Sequence, residues 1–277
     1  MRPRRLGIFL PFVVLAGCIR SPSPLTPQNR GSVGLPHRGS LSSGAPLPDS
    51  GTGFARLRKN DRRYGTPFLV DAIERAAAVV AAERPGSVLV VGDLSADHGG
   101  RLLPHLSHRT GRDADLLLYV TTLGGAMVTS PGFVPFGADG LGWDAVHQRF
   151  LRFDTPREWL LIKALITDDD ARVQWIFLNH ALIPMVIAWA RAKGEPFETV
   201  RRAEEVLLEP KPGGAHDDHT HIRVACTDEE VARGCEPSGP TRSWFTTARE
   251  PTAAPSTGQL VRELGAPLSA LPLRAGS

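Results

Sequence analysis

Two clusters of histidine and aspartate, far apart in the chain, constrain this sequence more than any other feature. The first reads His105-Leu-Ser-His108, then Arg-Thr-Gly-Arg, then Asp113-Ala-Asp115. The second reads His216-Asp-Asp-His219-Thr-His221. Glycine pairs flank them, Gly99-Gly100 and Gly213-Gly214, and each leads into an apolar run that reads as a strand, Asp115 to Val120 and His219 to Ala225. On a strand, residues two apart share a face, so His219 and His221 project together, and so do Asp113 and Asp115. A turn through Thr110-Gly111 brings His108 back beside Asp115. If the two strands are neighbours, His108, Asp115 and His221 converge on one point.

Two imidazoles and one carboxylate suit Zn²⁺ and leave a fourth position open for water. A closed structural site would use four protein ligands, usually with cysteine. His219 shares the face of His221 and can lie close to the metal without binding it. There it serves as general base for the water or, when protonated, holds a developing oxyanion. A ligating histidine is usually oriented by an acceptor on its other ring nitrogen. Asp113, Asp217 and Asp218 are candidates, and the sequence does not choose among them. One histidine in a polar loop is more often hydrogen-bonded than metal-bound, and the pairing of two clusters is what turns the reading. His98 is therefore read as a loop hydrogen-bonder before a second metal ligand. His147 and His180 are read as ordinary residues, Trp143, Trp159 and Trp175 as core, and His37 receives no role.

Around these clusters, Thr66-Pro67 opens a helix whose period runs through Leu69, Ile73, Ala76, Ala77 and Val80 and ends at Pro85-Gly86. Ser87–Leu94 and Val173–Leu178 read as further strands. Thr155-Pro156-Arg157-Glu158 reads as a capping box opening a helix through Ile166. Two more helices are expected at about Ala181–Ala192 and Pro196–Leu208. Strands and helices intermix without a phosphate-binding glycine loop. The expectation is an α+β fold, a small mostly antiparallel sheet flanked by helices, with the zinc site at one edge of the sheet.

The basic start Arg2, Arg4 and Arg5, followed by an apolar run from Leu6 to Ala16, reads as an export signal too short to span a membrane. Without those arginines the basic residues equal the acidic ones at 29, so the formal charge of +3 implies no nucleic-acid partner. Leu15-Ala16-Gly17-Cys18 resembles the lipobox of bacterial lipoproteins, which implies cleavage before Cys18 and a lipid anchor in a membrane. Ile19 after it favours the outer membrane. The other reading is a plain signal peptide. The expected domains are a signal peptide 1–17, a flexible tether 18–53 rich in Pro, Ser and Gly, a globular domain 54–235, and a Pro/Ala/Ser/Thr-rich tail 236–277. Cys226 and Cys235, an even pair in an exported chain, suggest a disulfide; zinc thiolates are the alternative, without a Cys-x-x-Cys spacing to support them.

At the two clusters the sequence resembles the penicillin-insensitive murein endopeptidases, within the wider group that includes lysostaphin-type enzymes, D-alanyl-D-alanine peptidases and the hedgehog signalling domain. The group's pattern of His, six residues, Asp and a distant His-x-His is met by His108, Asp115, His219 and His221. The endopeptidase branch adds His105, the block Gly-Ala-His216-Asp-Asp-His219-x-His221-x-Arg223, the segment Val173-Gln-Trp-Ile-Phe177, and the helix from Trp159 into Ala164-Leu165. The resemblance spans roughly residues 60–235. It implies one Zn²⁺ held by His108, Asp115 and His221, with His219 catalytic and His105 and His216 assisting in the pocket. The implied substrate is peptidoglycan, cut at the D-alanyl–diaminopimelyl cross-bridge by a periplasmic enzyme that forms no acyl-enzyme. The branch also has a cysteine-containing loop after the last strand, which Cys226 and Cys235 fit. Thr220 stands where a larger aromatic is common, so the groove is expected to differ in shape there. The segment Gly124–Gly142 is read as a lid or groove wall. A D,D-carboxypeptidase, an L,D-endopeptidase and a non-catalytic murein-binding lipoprotein stay open as alternatives.

Overall fold

The computed structural model describes residues 31–210 and 214–245. The export signal, Cys18, Gly213 and the chain from residue 246 onward lie outside the described residues. No helix among the described residues is long and apolar enough to cross a membrane.

Strands β1 (Gly31–Leu35) and β2 (Arg38–Ser42) form an antiparallel hairpin. Short strands β3 (Ala45–Pro46), β4 (Ser50–Gly51), β5 (Phe54–Arg56) and β6 (Tyr64–Gly65) lead to helix α1 (Pro67–Glu83). Strand β7 (Leu89–Val91) is followed by a long loop and then by β8 (Asp113–Leu117). Strands β9 (Val120–Thr122), β10 (Met127–Val128), β11 (Leu141–Asp144) and β12 (Arg149–Phe153) make a separate antiparallel sheet of four. Helix α2 (Thr155–Thr167), β13 (Val173–Phe177), helices α3 (Ile183–Ala192) and α4 (Phe197–Val206), β14 (Leu207–Leu208), β15 (His219–Val224) and the short helix α5 (Asp228–Ala232) complete the described chain. The main sheet has seven strands in the order β14-β13-β15-β8-β7-β5-β4. Its pairings are antiparallel except β13 with β14 and β5 with β7. The α+β reading is thus met.

Local chemistry explains the helices. Thr66 caps α1 by accepting from the Leu69 amide, and Pro67 needs no amide partner at the first position. Leu69, Ile73, Ala76, Ala77 and Val80 are all buried. The full burial of Leu69 and Ile73 stabilises the fold by about 2 kcal/mol each. The expected capping box on α2 is not formed. Asp154 is the cap, accepting from the amide of Arg157 at 3.3 Å and from its Nε at 2.6 Å. With Asp154 satisfying the helix end, Glu158 turns inward instead.

The helices cover one face of the main sheet. Ala114 and Leu116 of β8, and Ile222 and Val224 of β15, join one apolar core with Trp159, Leu161, Ile162 and Val186 of the helices. The alternate residues of the same strands, Asp113, Asp115, His219 and His221, take the other face. The site therefore lies over the third and fourth strands of the sheet rather than at its edge. Strand order is set by long-range pairing, which a run of residues does not encode.

The segment expected as a tether is folded from Gly31 on. Leu41 and Ser32 are fully buried. The hairpin bonds to the loop between β7 and β8, with Leu41 N–H donating to His98 O at 3.0 Å and Arg109 N–H to Pro36 O at 3.2 Å. Gly99 makes this approach possible: its φ is +67°, and a Cβ there would fall 2.1 Å from Arg109 O. On the far side, Gly34 accepts from Glu236 N–H at 3.1 Å and donates to Gly234 O at 2.8 Å. Cys226 and Cys235 form the expected disulfide, so zinc thiolates are excluded. The domain also runs past residue 235. Arg242 packs its guanidinium 4.7 Å from the Trp175 ring centroid and bonds Gln174 O and Glu205 O. Of the three tryptophans read as core, Trp159 is, Trp175 is part-buried, and Trp143 is 48 % exposed against Phe150.

Candidate metal centre

Antiparallel pairing of β8 with β15 places His221 opposite Asp115, Arg223 opposite Asp113 and His219 opposite Leu117. The register fixes both sets of side chains on one face, because a slip by one residue would send them to the other. The loop after β7 supplies His105 and His108. Ser95 Oγ donates to His108 O at 2.5 Å, and His108 is held at φ +63°. His216 also has a positive φ, +47°. Such conformations cost of order 1–3 kcal/mol and persist where surrounding contacts enforce them.

At the centre, Asp115 Oδ1 lies 3.2 Å from His108 Nε2 and 3.1 Å from His221 Nδ1, and those two nitrogens are 3.3 Å apart. The outer ring nitrogens are occupied. His108 Nδ1–H donates to Leu94 O at 3.1 Å, and His221 Nε2–H donates to Asp113 Oδ1 at 2.8 Å. Arg223 Nε donates to the same Asp113 oxygen at 2.7 Å. With those protons placed, three lone-pair atoms face each other with no donor between them. Both Asp115 oxygens are buried without a hydrogen-bond partner among the described residues. Ligand atoms about 2.0–2.1 Å from a tetrahedral ion lie about 3.3–3.4 Å apart, and the three separations fit that spacing. The residues present thus fit a divalent cation of the zinc type.

Charge points the same way. Burial raises the Asp115 carboxyl, but His108, His219 and His221 outweigh it and hold it well below the ordinary range. Burial likewise raises Asp113, and Arg223 with His221 outweighs that too. Burial lowers His108, yet Asp115 and Asp113 pull it above its usual value. Asp113 has Arg223 as its counter-charge, whereas the buried Asp115 carboxylate calls for positive charge at the centre of the triangle, which a divalent ion would supply to all three atoms.

The remaining predicted residues ring this point. His219 Nε2 lies 3.3 Å from Asp115 Oδ1, and its Nδ1–H donates to Asp218 Oδ1 at 2.5 Å. Burial pulls His219 down, but those two carboxylates raise it to about 9. His216 Nδ1–H donates to Gly214 O at 2.7 Å. Burial and the neighbouring His221 and His219 lower it to about 4. His105 Nε2 bonds Asp93 Oδ2 at 2.9 Å, and its Nδ1 is 3.6 Å from Asp115 Oδ2. The donor atoms of His216, His219 and His221 lie within 4.8 Å of one another, and so do those of His105, His108 and Asp115. Of the three orienting candidates, Asp113 sits behind His221 and Asp218 behind His219; Asp217 gives its carbonyl to Phe136 N–H at 2.9 Å.

His98 stands apart, its ring nitrogen 3.9 Å from Asp97 and its side chain 89 % exposed. His147 pairs with Asp144 and His180 with Glu209, away from the centre. Thr220 does not shape the groove. It is buried on the helix face and donates to Glu158 Oε1 at 2.6 Å, while Tyr119 N–H donates to Oε2 at 3.2 Å. Desolvation raises the Glu158 carboxyl to about 7.

Cavities open on both sides of the centre and share His105, Asp115 and His219. One, about 760 Å³, runs toward Arg58, Arg62 and Asp93. The other, about 380 Å³, runs toward His37, Phe177, His216 and Arg223. Part of the Gly124–Gly142 segment is a wall, with Phe133 edge-on to His219 at 5.4 Å between ring centroids. Sequence reading assigned no role to Asp93, Arg58, Arg62, Phe133 or His37. None sits in a motif, and each reaches the site through tertiary contact. Arg223 and Phe177 were within quoted motif segments, but only the strand register gives them a place.

The sequence profile of the penicillin-insensitive murein endopeptidases matches residues 32–131. Proteins named penicillin-insensitive murein endopeptidase are similar over most of their length. That of Haemophilus influenzae is 28 % identical, over 80 % of this chain and 72 % of its own. That of Pectobacterium atrosepticum is 29 % identical over 86 % and 81 %. That of Escherichia coli K12 is 28 % identical over 83 % and 81 %.

Proposed function

We propose, from the similarity of this chain to the penicillin-insensitive murein endopeptidases, that it is one of them and works as a zinc peptidase that hydrolyses the D-alanyl–diaminopimelyl cross-links of peptidoglycan. The observation that carries this is the triangle of Asp115 Oδ1, His108 Nε2 and His221 Nδ1, three lone-pair atoms aimed at one point with no donor between them. His108, Asp115 and His221 are the ligands in this reading, with Asp113 and the Leu94 carbonyl fixing the ring tautomers.

Zinc bound there would acidify its water and polarise the scissile carbonyl. His219 works beside it. Anchored by Asp218 through Nδ1–H, it presents Nε2 as the atom that takes up or returns the proton of the attacking water. When it carries that proton, the same atom donates to the developing oxyanion. His216, neutral near pH 7 with Nδ1–H on Gly214 O, and His105, tied to Asp93, assist in the pocket as partners of substrate. The groove extends on both sides of the centre, which favours a cross-linked peptide over the single chain end that a carboxypeptidase takes.

In this reading the chain is exported and held at the outer membrane through a lipid on Cys18, with peptidoglycan as its partner. The support is the Leu-Ala-Gly-Cys sequence and a substrate outside the cytoplasm.

The test is to incubate the full-length chain, zinc-loaded and in detergent, with purified cross-linked murein, with and without a chelator, and to weigh the fragments. The expected result is chelator-sensitive conversion of peptide dimers to monomers. Release of a terminal D-alanine alone would assign a carboxypeptidase. Absence of any cleavage would leave a murein-binding lipoprotein.

A further inference from the structure

The larger cavity has an electrostatic character that peptide hydrolysis itself does not require. Its wall away from the metal triangle carries Arg58 and Arg62, on the segment between β5 and β6, and one buried carboxylate, Asp93. Arg62 Nη1 donates to Asp93 Oδ2 at 2.8 Å, and His105 takes the same oxygen at 2.9 Å. Arg58 reaches Asp93 Oδ1 only at 3.4 Å. Its side chain is 49 % exposed, and its guanidinium lies 5.4 Å from the centroid of Phe133, the ring that stands edge-on to His219. Two guanidinium groups thus share one carboxylate, and the weaker contact leaves most of the Arg58 fork to the cavity. The Asp115 charge is committed to the metal centre. The segment is held in place by backbone bonds, Leu57 N–H to Val91 O at 2.8 Å and Leu94 N–H to Arg62 O at 2.9 Å. The surplus positive charge is therefore presented on a fixed wall beside the reacting centre.

Resting on the endopeptidase reading, the substrate has a group to match. In a D-alanyl–diaminopimelyl bridge, the carbon that bears the scissile amide nitrogen also bears a free carboxylate. We infer that this cavity is a carboxylate subsite, in which Arg58, braced by Arg62 and Asp93, receives the carboxylate of the diaminopimelyl residue on the leaving side of the cut. Planar guanidinium and planar carboxylate pair through two parallel hydrogen bonds, which fixes orientation as well as affinity. The subsite sets which amide lies over the metal, so Arg58 is a specificity-determining residue.

The experiment compares two soluble murein peptide dimers, identical except that one carries an amide in place of that carboxylate. Each is cut by the zinc-loaded wild-type chain and by Arg58→Gln, with zinc content and melting temperature checked for both proteins. The expected kcat/KM of wild type falls roughly 10- to 100-fold on amidation, the value of a charge-assisted hydrogen bond. Arg58→Gln should lose a similar factor on the free-carboxylate dimer and show little further loss on the amidated one. Equal wild-type cleavage of the two dimers overturns the subsite while leaving the endopeptidase reading intact, and needs no variant to fold. Equal impairment of Arg58→Gln on both dimers also overturns it. Cleavage of neither dimer by wild type overturns the endopeptidase reading, and the subsite with it.

Discussion

The two halves of the candidate metal centre are built on different kinds of backbone. His219, His221, Asp113 and Asp115 stand on β15 and β8, neighbours in the middle of a seven-stranded sheet, with a helix-packed core behind them. Their positions follow from a ladder of hydrogen bonds and a register that admits no slip. His105 and His108 stand on a loop, one of them at a positive φ. That loop's own backbone bonds, Gly99 N–H to Ala96 O and Gly100 N–H to Arg109 O at 2.9 Å each, form no strand ladder. The loop is clamped from outside by the β1–β2 hairpin, and the hairpin is braced in turn by the segment around the Cys226–Cys235 disulfide. Strand-borne ligands inherit their precision from the fold, whereas loop-borne ligands need a dedicated support, and that support can be far away in sequence.

The contrast can be broken first from the loop side. Leu41 is fully buried and its amide bonds His98 O. Leu41→Ala should cost about 2–5 kcal/mol, the usual range for a cavity of that size. Hydrogen exchange should then show lost protection in the loop from Asp93 to Arg112 while β8 and β15 keep theirs. Uniform loss across both would mean that the two halves are one cooperative unit.

From behind the strand half, Glu158 offers the next effect. Its folded carboxyl sits at about 7 against an ordinary 4.5, because desolvation outweighs the bonds from Thr220 and Tyr119. The folded state therefore holds a proton that the unfolded state has released between those values. Its contribution to stability is present in full below about pH 4.5 and declines as pH rises through about 7, by an amount on the order of 3 kcal/mol. Glu158→Gln should remove that decline and be the more stable protein above pH 7. Denaturant melts of both proteins across this window measure it, and parallel pH profiles would show that the carboxyl is already ionised in the fold.

The smallest change acts on the front of the strand half. Asp113→Asn keeps the shape but weakens the acceptor behind His221 and the partner of Arg223. Zinc affinity is expected to fall about 10- to 100-fold, without loss of folding. Competition with a chromogenic chelator reads this directly. An unchanged affinity would mean that a neutral amide oxygen orients His221 as well as the carboxylate does.

The same contrast governs what could be read from the sequence. The strand half was legible because its chemistry recurs at a spacing of two, and β-structure turns that spacing into a shared face. The ligating set around the loop half was legible as a motif, but its clamp was not. The inward residues of β1 are Ser32 and Gly34, too small to leave an alternating apolar pattern, and the segment's Pro, Ser and Gly content reads as a tether. The contacts that hold the loop are largely backbone to backbone, so no side chain announces them. Thr220 and Glu158 were misassigned for a related reason. Each sits beside a recognisable motif, the His-x-His and the helix start, yet faces the opposite side of its element and finds the other there. Asp154, one residue ahead of the expected cap, took the role that freed Glu158 to do so.

One last consequence follows from where the disulfide lies. Cys235 bridges to Gly34 in the clamp, and Arg112, which leads into β8, donates to Cys226 Sγ at 3.1 Å. A chain kept under reducing conditions retains the strand ligands but lacks the covalent brace behind the loop ligands. The support of the loop residues in this way includes one bond that thiol oxidation forms. In the murein-hydrolase reading proposed above, that brace would act as a safety catch, set in the oxidising compartment where such an activity is wanted.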